Sequence, residues 1–408
     1  MSSVVAQFLP LSETVTPPDE AAVAETLRRA AEERHPVYPM GGGTRLAYGA
    51  PPEAAGIGLC TTGLSAIVDH AADDMTITVE AGTTLLQLAT VLAQKGQRLP
   101  VDVPQSSRAT IGGVIATNTF GPRRFGYRTI RDYLLGVRAV DGRGEVFAGG
   151  GRVVKNAAGY DMPRLLVGSM GTLGVITHVS LMVRPTAESA AMVLARVPDY
   201  DAAESLITRL MHSAVRPVSV DWLGNGWDAD TSPDPGLAGG GGRVLAGIEG
   251  TRTEVQWMVD SVCREWKDSS ARDVRVLDAT DTARMWQWIT ELPAQLQASV
   301  LPSRVGALIR RLTEIDPACA IAAYAGDGVV RIRLSDEAAS ILPAILAGKL
   351  RPAAEDLEGH LTVLSVEPGT ELTRDDVWGP ARKATPIMQA IKERFDPEGI
   401  LNAGRWVF

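Results

Sequence analysis

The chain has 408 residues, 45% of them hydrophobic and 22% charged, the composition of an ordinary globular protein and, at this length, of two or three domains. Its 40 basic and 48 acidic residues leave a net charge of −8 with histidine neutral, which excludes a broad polyanion-binding face for nucleic acid or anionic membrane. Three scattered cysteines, Cys60, Cys263 and Cys319, give neither a disulfide framework nor a CxxC ligand pair.

Residues 1–20 lack the basic and apolar regions of a signal peptide, and no uninterrupted apolar run reaches membrane-spanning length. The expectation is a cytoplasmic chain without direct membrane insertion. After Pro17 and Pro18, Asp19 is expected to cap a helix running to Glu33, with Val23 and Leu27 on one face. VYP at 37–39 reads as a strand that runs into GGGTR at 41–45. That loop offers consecutive N–H groups without side-chain obstruction, a hydroxyl on Thr44 and a charge on Arg45, so it reads as a phosphate cradle or as a simple tight turn. No G-K-[ST] follows, and the spaced glycines and following helix of a dinucleotide fingerprint are missing.

MTITVEAG predicts a strand, and Thr84 to Lys95 a helix with Leu85, Leu88 and Leu92 on a stripe, stopped by Gly96. Residues 100–132 read as loop. Within them Gly112, Gly113, Ala116 and Thr117 are small enough for the backbone to lie against something flat or bulky, with Asn118 and Thr119 able to donate. LLGVRAV and EVFAG form a hairpin around DGRG. Gly168, Gly171 and Gly174, with Ser169 and Thr172 between them, repeat the small-residue arrangement before the strand VITHVSLMV, which Pro185 ends.

Beyond residue 187 the composition shifts to helix–strand alternation without a glycine-rich cofactor signature. Helices are expected at DAAESLITRLMHS, TEVQWMVDSVCREW and PACAIAAY, and strands at VSVDW, RVLAGIEG, VVRIRL and LTVLSV. This is the grammar of an antiparallel sheet covered by helices. The glycine run at 239–242 reads as a flexible loop. A last helix, with Ile387 and Ile391 on one face, leads into a proline-glycine turn.

PVYPMGGGTRLAYG, PQSSRATIGGVIATNTFG, KNAAGYD with GSMGTLGVIT, and ERFDPEGILNAGR together resemble the FAD-binding subunits of bacterial glycolate oxidases, within the vanillyl-alcohol-oxidase type of flavoprotein. The likeness is strong over 15–187 and in the tail. It implies an α+β fold: a PCMH-type FAD-binding domain of two α+β subdomains at 1–187, a second cap-like α+β domain on an antiparallel sheet at 188–375, and a C-terminal helix and tail at 376–408 returning to the FAD domain. It further implies diphosphate contact by Gly41, Gly42, Gly43 and Thr44, with Arg45 adding charge; FAD contact by Thr110, Gly112, Gly113, Ala116 and Asn118; and enclosure by Gly171, Thr172, Gly174 and Ile176. No histidine or cysteine of the covalent-flavin kind stands near GGGTR or IGGV, so FAD is expected to be noncovalent.

The activity implied is oxidation of glycolate to glyoxylate in a complex with a larger flavoprotein subunit and an iron-sulfur subunit, which would also hold the chain against the inner membrane. The three cysteines cannot hold a four-cysteine cluster. Catalytic relatives carry a histidine pair ahead of a GDG turn. Here Gly326-Asp327-Gly328 remains with Ala322 and Tyr324 before it, and the five histidines form no pair. No metal site is expected and no catalytic base is identified. Arg123, Arg124, Arg128 and Arg131 form a positive run, suited to an anionic substrate, to the flavin phosphate, or to a solvated paired face. Lys155 and Tyr160 lie in the family run, with Tyr160 expected to pack against the flavin domain. Trp257, Trp266, Trp286 and Trp288 are core or a docking surface. Two alternatives stay open: an autonomous FAD-dependent dehydrogenase or oxidase of another 2-hydroxy acid or alcohol, and a non-catalytic structural subunit.

Overall fold

The computed structural model describes residues 5–406 apart from 53, 152–159, 229, 235–240, 270 and 368. Its contacts divide the chain into unit 1 (Met1–Phe120, Thr129–Thr186, Glu367–Phe408) and unit 2 (Gly121–Arg128, Ala187–Val366).

Unit 1 begins with β1 (Leu11–Val15), α1 (Glu20–Glu33), β2 (Val37–Met40) and β3 (Gly56–Cys60). The strands form a parallel sheet in the order β1-β3-β2. Asp19 caps α1 by accepting from the Ala22 N–H at 2.8 Å, and the helix stops at Arg34, whose φ of 51° is left-handed. Val23 and Leu27, at helical spacing, are buried with Val37, Ile57 and Leu59 of the sheet and with Ile400 and Leu401 from the tail. Full burial of one such side chain contributes about 1.5–3 kcal/mol.

A second sheet takes β4 (Ile67–Ala71), β5 (Thr76–Glu80), β7 (Leu134–Val140), β8 (Val146–Gly150) and β9 (Val175–Met182), in the antiparallel order β4-β5-β9-β7-β8; β6 (Gln97–Arg98) pairs separately with β10 (Arg184–Pro185). Two helices cover the five-stranded sheet: α2 (Leu85–Ala93), capped by Thr84, and α3 (Ile111–Thr117), capped by Thr110. Leu85, Leu88, Leu92, Ile111 and Ile115 are buried against Ile77, Val79, Val137 and Val179. The reading of 100–132 as loop misses α3. Its adjacent glycines suppress the helical signal, yet a Cβ on Gly112 would lie 2.8 Å from that of Ala81, so close packing on the sheet outweighs their low propensity.

Unit 2 is built on an eight-stranded antiparallel sheet of β11 (Ser189–Val197), β12 (Ser219–Leu223), β13 (Gly242–Gly250), β14 (Arg272–Leu277), β15 (Leu296–Ser299), β16 (Ala320–Tyr324), β17 (Val329–Arg333) and β18 (His360–Val363), ordered β14-β11-β13-β12-β16-β17-β15-β18. Helices α4 (Tyr200–His212), α5 (Arg252–Lys267), α6 (Ala279–Glu291) and α7 (Val305–Ile315) each carry a buried apolar stripe. PACAIAAY, expected as a helix, is instead strand β16: its residues 320–324 are all buried, paired with β17 and in part with β12. Burial in the sheet overrides the helix preference of its alanines. Trp266 and Trp286 are core residues, whereas Trp257 is 52% exposed. Part of the 239–242 run lies outside the described residues.

Candidate functional site

A cleft within unit 1 spans about 960 Å³ including its open mouth. It forms where the loop after β2 meets the start of α3 and the start of β9. Gly41, Gly42, Gly43, Thr44 and Arg45 supply the first wall, Thr110, Gly112, Gly113 and Ala116 the second, and Gly171, Gly174 and Ile176 the third. Asn118 and Thr172 flank the cleft without lining it.

Three observations test whether this wall suits an anionic dinucleotide. Among described residues, no hydrogen bond is donated by the main-chain N–H groups of Gly42, Gly43 and Thr44. Three consecutive unused donors on a glycine loop are an anion nest. The described lining contains arginines, Arg45 and Arg405, and no aspartate or glutamate. Beside it, Asn118 Oδ1 and Ser169 Oγ are buried without a hydrogen-bond partner, a costly state unless a ligand completes them. The residues therefore fit FAD.

The glycines of this wall have a steric cause. A Cβ on Gly41 would lie 2.0 Å from Thr110 Oγ1, and one on Gly42 1.8 Å from the Arg108 carbonyl oxygen. Arg108 Nη2 also donates to the Gly42 carbonyl at 3.0 Å. The first two walls thus meet backbone to backbone. Gly43 and Gly171, with φ of 70° and 69°, turn through the left-handed region.

Thr117 and Thr119, also singled out in the sequence, line the cleft as well, and residues beyond those expected complete it: Tyr48, Thr61, Met170, Asn402 and Arg405. Asn402 Nδ2 donates to the Met170 carbonyl, and Arg405 Nη2 donates to the carbonyls of Leu46 at 2.7 Å and Tyr48 at 2.6 Å. The tail that carries them is fixed by a buried ion pair between Lys392 and Asp396. Lys392 Nζ donates to the carbonyls of Thr172 and Leu401, each at 2.9 Å, and Asp396 accepts from the N–H groups of Ile400 and Leu401. The only signal of this in the sequence is the polar ending LNAGR after an amphipathic helix. Burial pushes the Tyr48 phenol up to about 12, so it stays protonated at neutral pH.

Other expected residues lie elsewhere. Tyr160 is 92% exposed, so it does not pack against the flavin domain; Lys155 lies outside the described residues. In unit 2, Arg123 Nη1 donates to Glu249 at 3.0 Å and its guanidinium lies 4.6 Å from the Trp286 ring centroid, while Tyr127 donates to the same carboxylate at 2.6 Å. Arg124 Nε stands 3.9 Å from Asp327 Oδ1, and burial of Asp327 raises its pKa against the opposing effect of Arg124. Among described residues, no group of three or more histidine, cysteine or acidic side chains is placed to hold a metal, and no helix is long and apolar enough to cross a membrane.

Comparison with known proteins agrees with this geometry. Residues 12–150 match the FAD binding domain family model, and residues 380–406 match that of the FAD linked oxidases, C-terminal domain. The chain is 31% identical over 209 residues to the glycolate oxidase subunit GlcD of Bacillus subtilis, covering 51% of this chain and 44% of that one. It is 36% identical over 166 residues to the glycolate oxidase subunit GlcE of Escherichia coli, covering 40% and 47%, so it spans about half the length of such relatives. A longer match, at 26% identity, covers 94% of the chain and 86% of a D-lactate dehydrogenase of Anaerostipes hadrus. In fold it is similar to a solved alkyldihydroxyacetonephosphate synthase, with a TM-score of 0.69, 16% identity and coverage of 95% of this chain and 76% of that one. No histidine or cysteine stands among the described residues of the cleft, leaving noncovalent contacts to hold the cofactor. Residues 12–150 match an FAD binding domain, the chain binds FAD noncovalently, and its α+β fold is of the PCMH type.

Proposed function

We propose that the chain is an FAD-dependent dehydrogenase or oxidase of a small 2-hydroxy acid. The observation that carries this reading is the glycine-walled, carboxylate-free cleft with unused donors at Gly42, Gly43 and Thr44; the substrate class is supported by the names of the relatives, which include glycolate oxidase subunits and D-lactate dehydrogenases. Bound FAD supplies the acceptor for the hydride that leaves the α-carbon. The loop Gly41–Thr44 receives the diphosphate, with Arg45 adding charge. Thr110, Gly112, Gly113 and Ala116 let the cofactor lie close to the start of α3, and Asn118 hydrogen-bonds to it. Gly171, Gly174 and Ile176 close the far wall, with Thr172 beside it. Arg123, already bound to Glu249, positions its own segment rather than a substrate carboxylate.

A second reading, an FAD-bearing subunit of a glycolate oxidase complex with a larger flavoprotein and an iron-sulfur subunit, is favoured by the likeness to the glycolate oxidase subunit GlcE and by the β16–β17 hairpin, which carries Tyr324 and Arg331 and no histidine. One experiment separates the two. The purified chain is loaded with FAD and treated anaerobically with glycolate, D-lactate or D-2-hydroxyglutarate while the flavin band is followed. Bleaching by one of these acids supports autonomous catalysis. Flavin that stays oxidised until the partner subunits are added supports the complex, and failure to take up FAD overturns both.

A further inference from the structure

Arg405 is 5% exposed and lines the cleft. Its two side-chain hydrogen bonds, from Nη2, go to the neutral carbonyls of Leu46 and Tyr48. Nε and Nη1 donate to no described residue, and among described residues no carboxylate lies within ion-pair reach. The buried Arg243, by contrast, is paired with Asp234 at 3.1 Å, and the half-buried Arg123 with Glu249 at 3.0 Å. Burial lowers the pKa of Arg405 to about 10, which leaves it charged at neutral pH. A buried cation without a counter-charge is unfavourable in the empty protein, and it becomes favourable when an anion enters the cleft. The position matches that role. Asn402, on the same turn, binds the Met170 carbonyl beside Gly171, while Arg405 binds the segment that follows Thr44, so the guanidinium stands where two glycine walls converge.

We propose that Arg405 supplies the counter-charge for an oxyanion of bound FAD, either a diphosphate oxygen or the C2 oxygen of the isoalloxazine, which carries negative charge once the ring is reduced. This rests on FAD binding and not on the choice of substrate. Removing the charge weakens whichever state carries the anion, whereas a residue that only ties two carbonyls together acts on folding alone.

The test uses the full-length chain stripped of FAD. R405Q keeps N–H donors for the carbonyls and loses the charge; R405K keeps the charge. FAD and ADP affinities are measured by titration, and the midpoint potential of the loaded flavin by spectroelectrochemistry. For a diphosphate contact, R405Q weakens FAD and ADP alike by about 10- to 100-fold, the range of a charge-assisted hydrogen bond. For a ring contact, ADP binding is unchanged and the potential drops, by about 30 mV for a tenfold weaker hold on reduced relative to oxidised flavin. In both cases R405K stays within about threefold of the parent in FAD affinity, a difference of about 0.65 kcal/mol. The proposal is overturned by R405Q with unchanged affinity and potential, or by equal losses in R405Q and R405K. Should R405Q not fold, R405K decides: a tenfold loss of FAD affinity overturns the proposal and near-parental affinity upholds it. A parent chain that takes no FAD instead overturns the cofactor reading itself.

Discussion

At the scale of single residues, the site depends on what is missing from side chains. Gly42 lies so close to the 108–110 segment that a Cβ would fall 1.8 Å from the Arg108 oxygen and 2.6 Å from its carbonyl carbon. These are backbone atoms and cannot swing aside as a flexible side chain would. Gly42→Ala is therefore expected to force the two walls apart, lowering stability by about 2 kcal/mol or more and abolishing flavin retention. Thermal melts and the flavin-to-protein absorbance ratio check this. Gly348→Ala is the control, because nothing lies within 4 Å of its Cβ position; it should melt like the parent and keep its flavin. A Gly42→Ala chain as stable and as yellow as the control would show that the loop moves freely. Tyr160 teaches the reverse lesson. Its place in a family-like run suggested packing, but 92% exposure shows that proximity in sequence to a motif does not establish contact.

At the scale of elements, α1 was legible down to its cap, because Asp19, the Val23 and Leu27 stripe and the stop after Glu33 all point the same way. The first residue of that helix does more than begin it. Glu20 accepts from Arg138 of β7 and, at 2.6 Å, from Thr177 of β9, tying the helix on the parallel sheet to the antiparallel one. Burial raises the Glu20 pKa, but the hydrogen bonds from Arg138 and Thr177 outweigh it and leave the net value lowered from 4.5. A carboxyl with a depressed folded pKa gives stability that is present above its unfolded pKa and is lost as pH falls through the folded one. Glu20→Gln should thus be less stable than the parent in urea at pH 7, with the gap narrowing below pH 4.5 and closing once the parent carboxyl is protonated. A gap that stays constant even once the parent carboxyl is protonated would mean that hydrogen bonding alone, without charge, makes the tie.

At the scale of the whole molecule, the two-part α+β plan and the glycine walls were readable, since glycine clusters mark backbone approach wherever it occurs. The remainder depends on contacts distant in sequence. Residues 121–128 group with unit 2 because Gly126 donates to the Val218 carbonyl and Phe125 lies where a Cβ of Gly326 would be, and no local pattern encodes that pairing. Asn402 and Arg405 reach the cleft only because Val37 binds Ile400 and Asn402 through its backbone, which adds the tail beside β2. Since the cleft is walled wholly by unit 1, at 39–48, 103–119, 170–176 and 402–405 among its lining residues, FAD binding should stabilise that unit selectively. At a free concentration of 100 times its Kd, a ligand adds about 2.7 kcal/mol to the state that binds it. Calorimetry of the stripped chain is expected to show a transition that rises with added FAD and another, from the eight-stranded sheet of unit 2, that does not. Hydrogen exchange with mass spectrometry assigns them: protection gained at 37–48, 108–119 and 170–176, with β11 to β13 unchanged, supports FAD-linked folding of unit 1 alone. Equal protection across β11 to β18 would instead mean that FAD energetics extend through both units, and the separate core of unit 2 would then not fold independently of the cofactor.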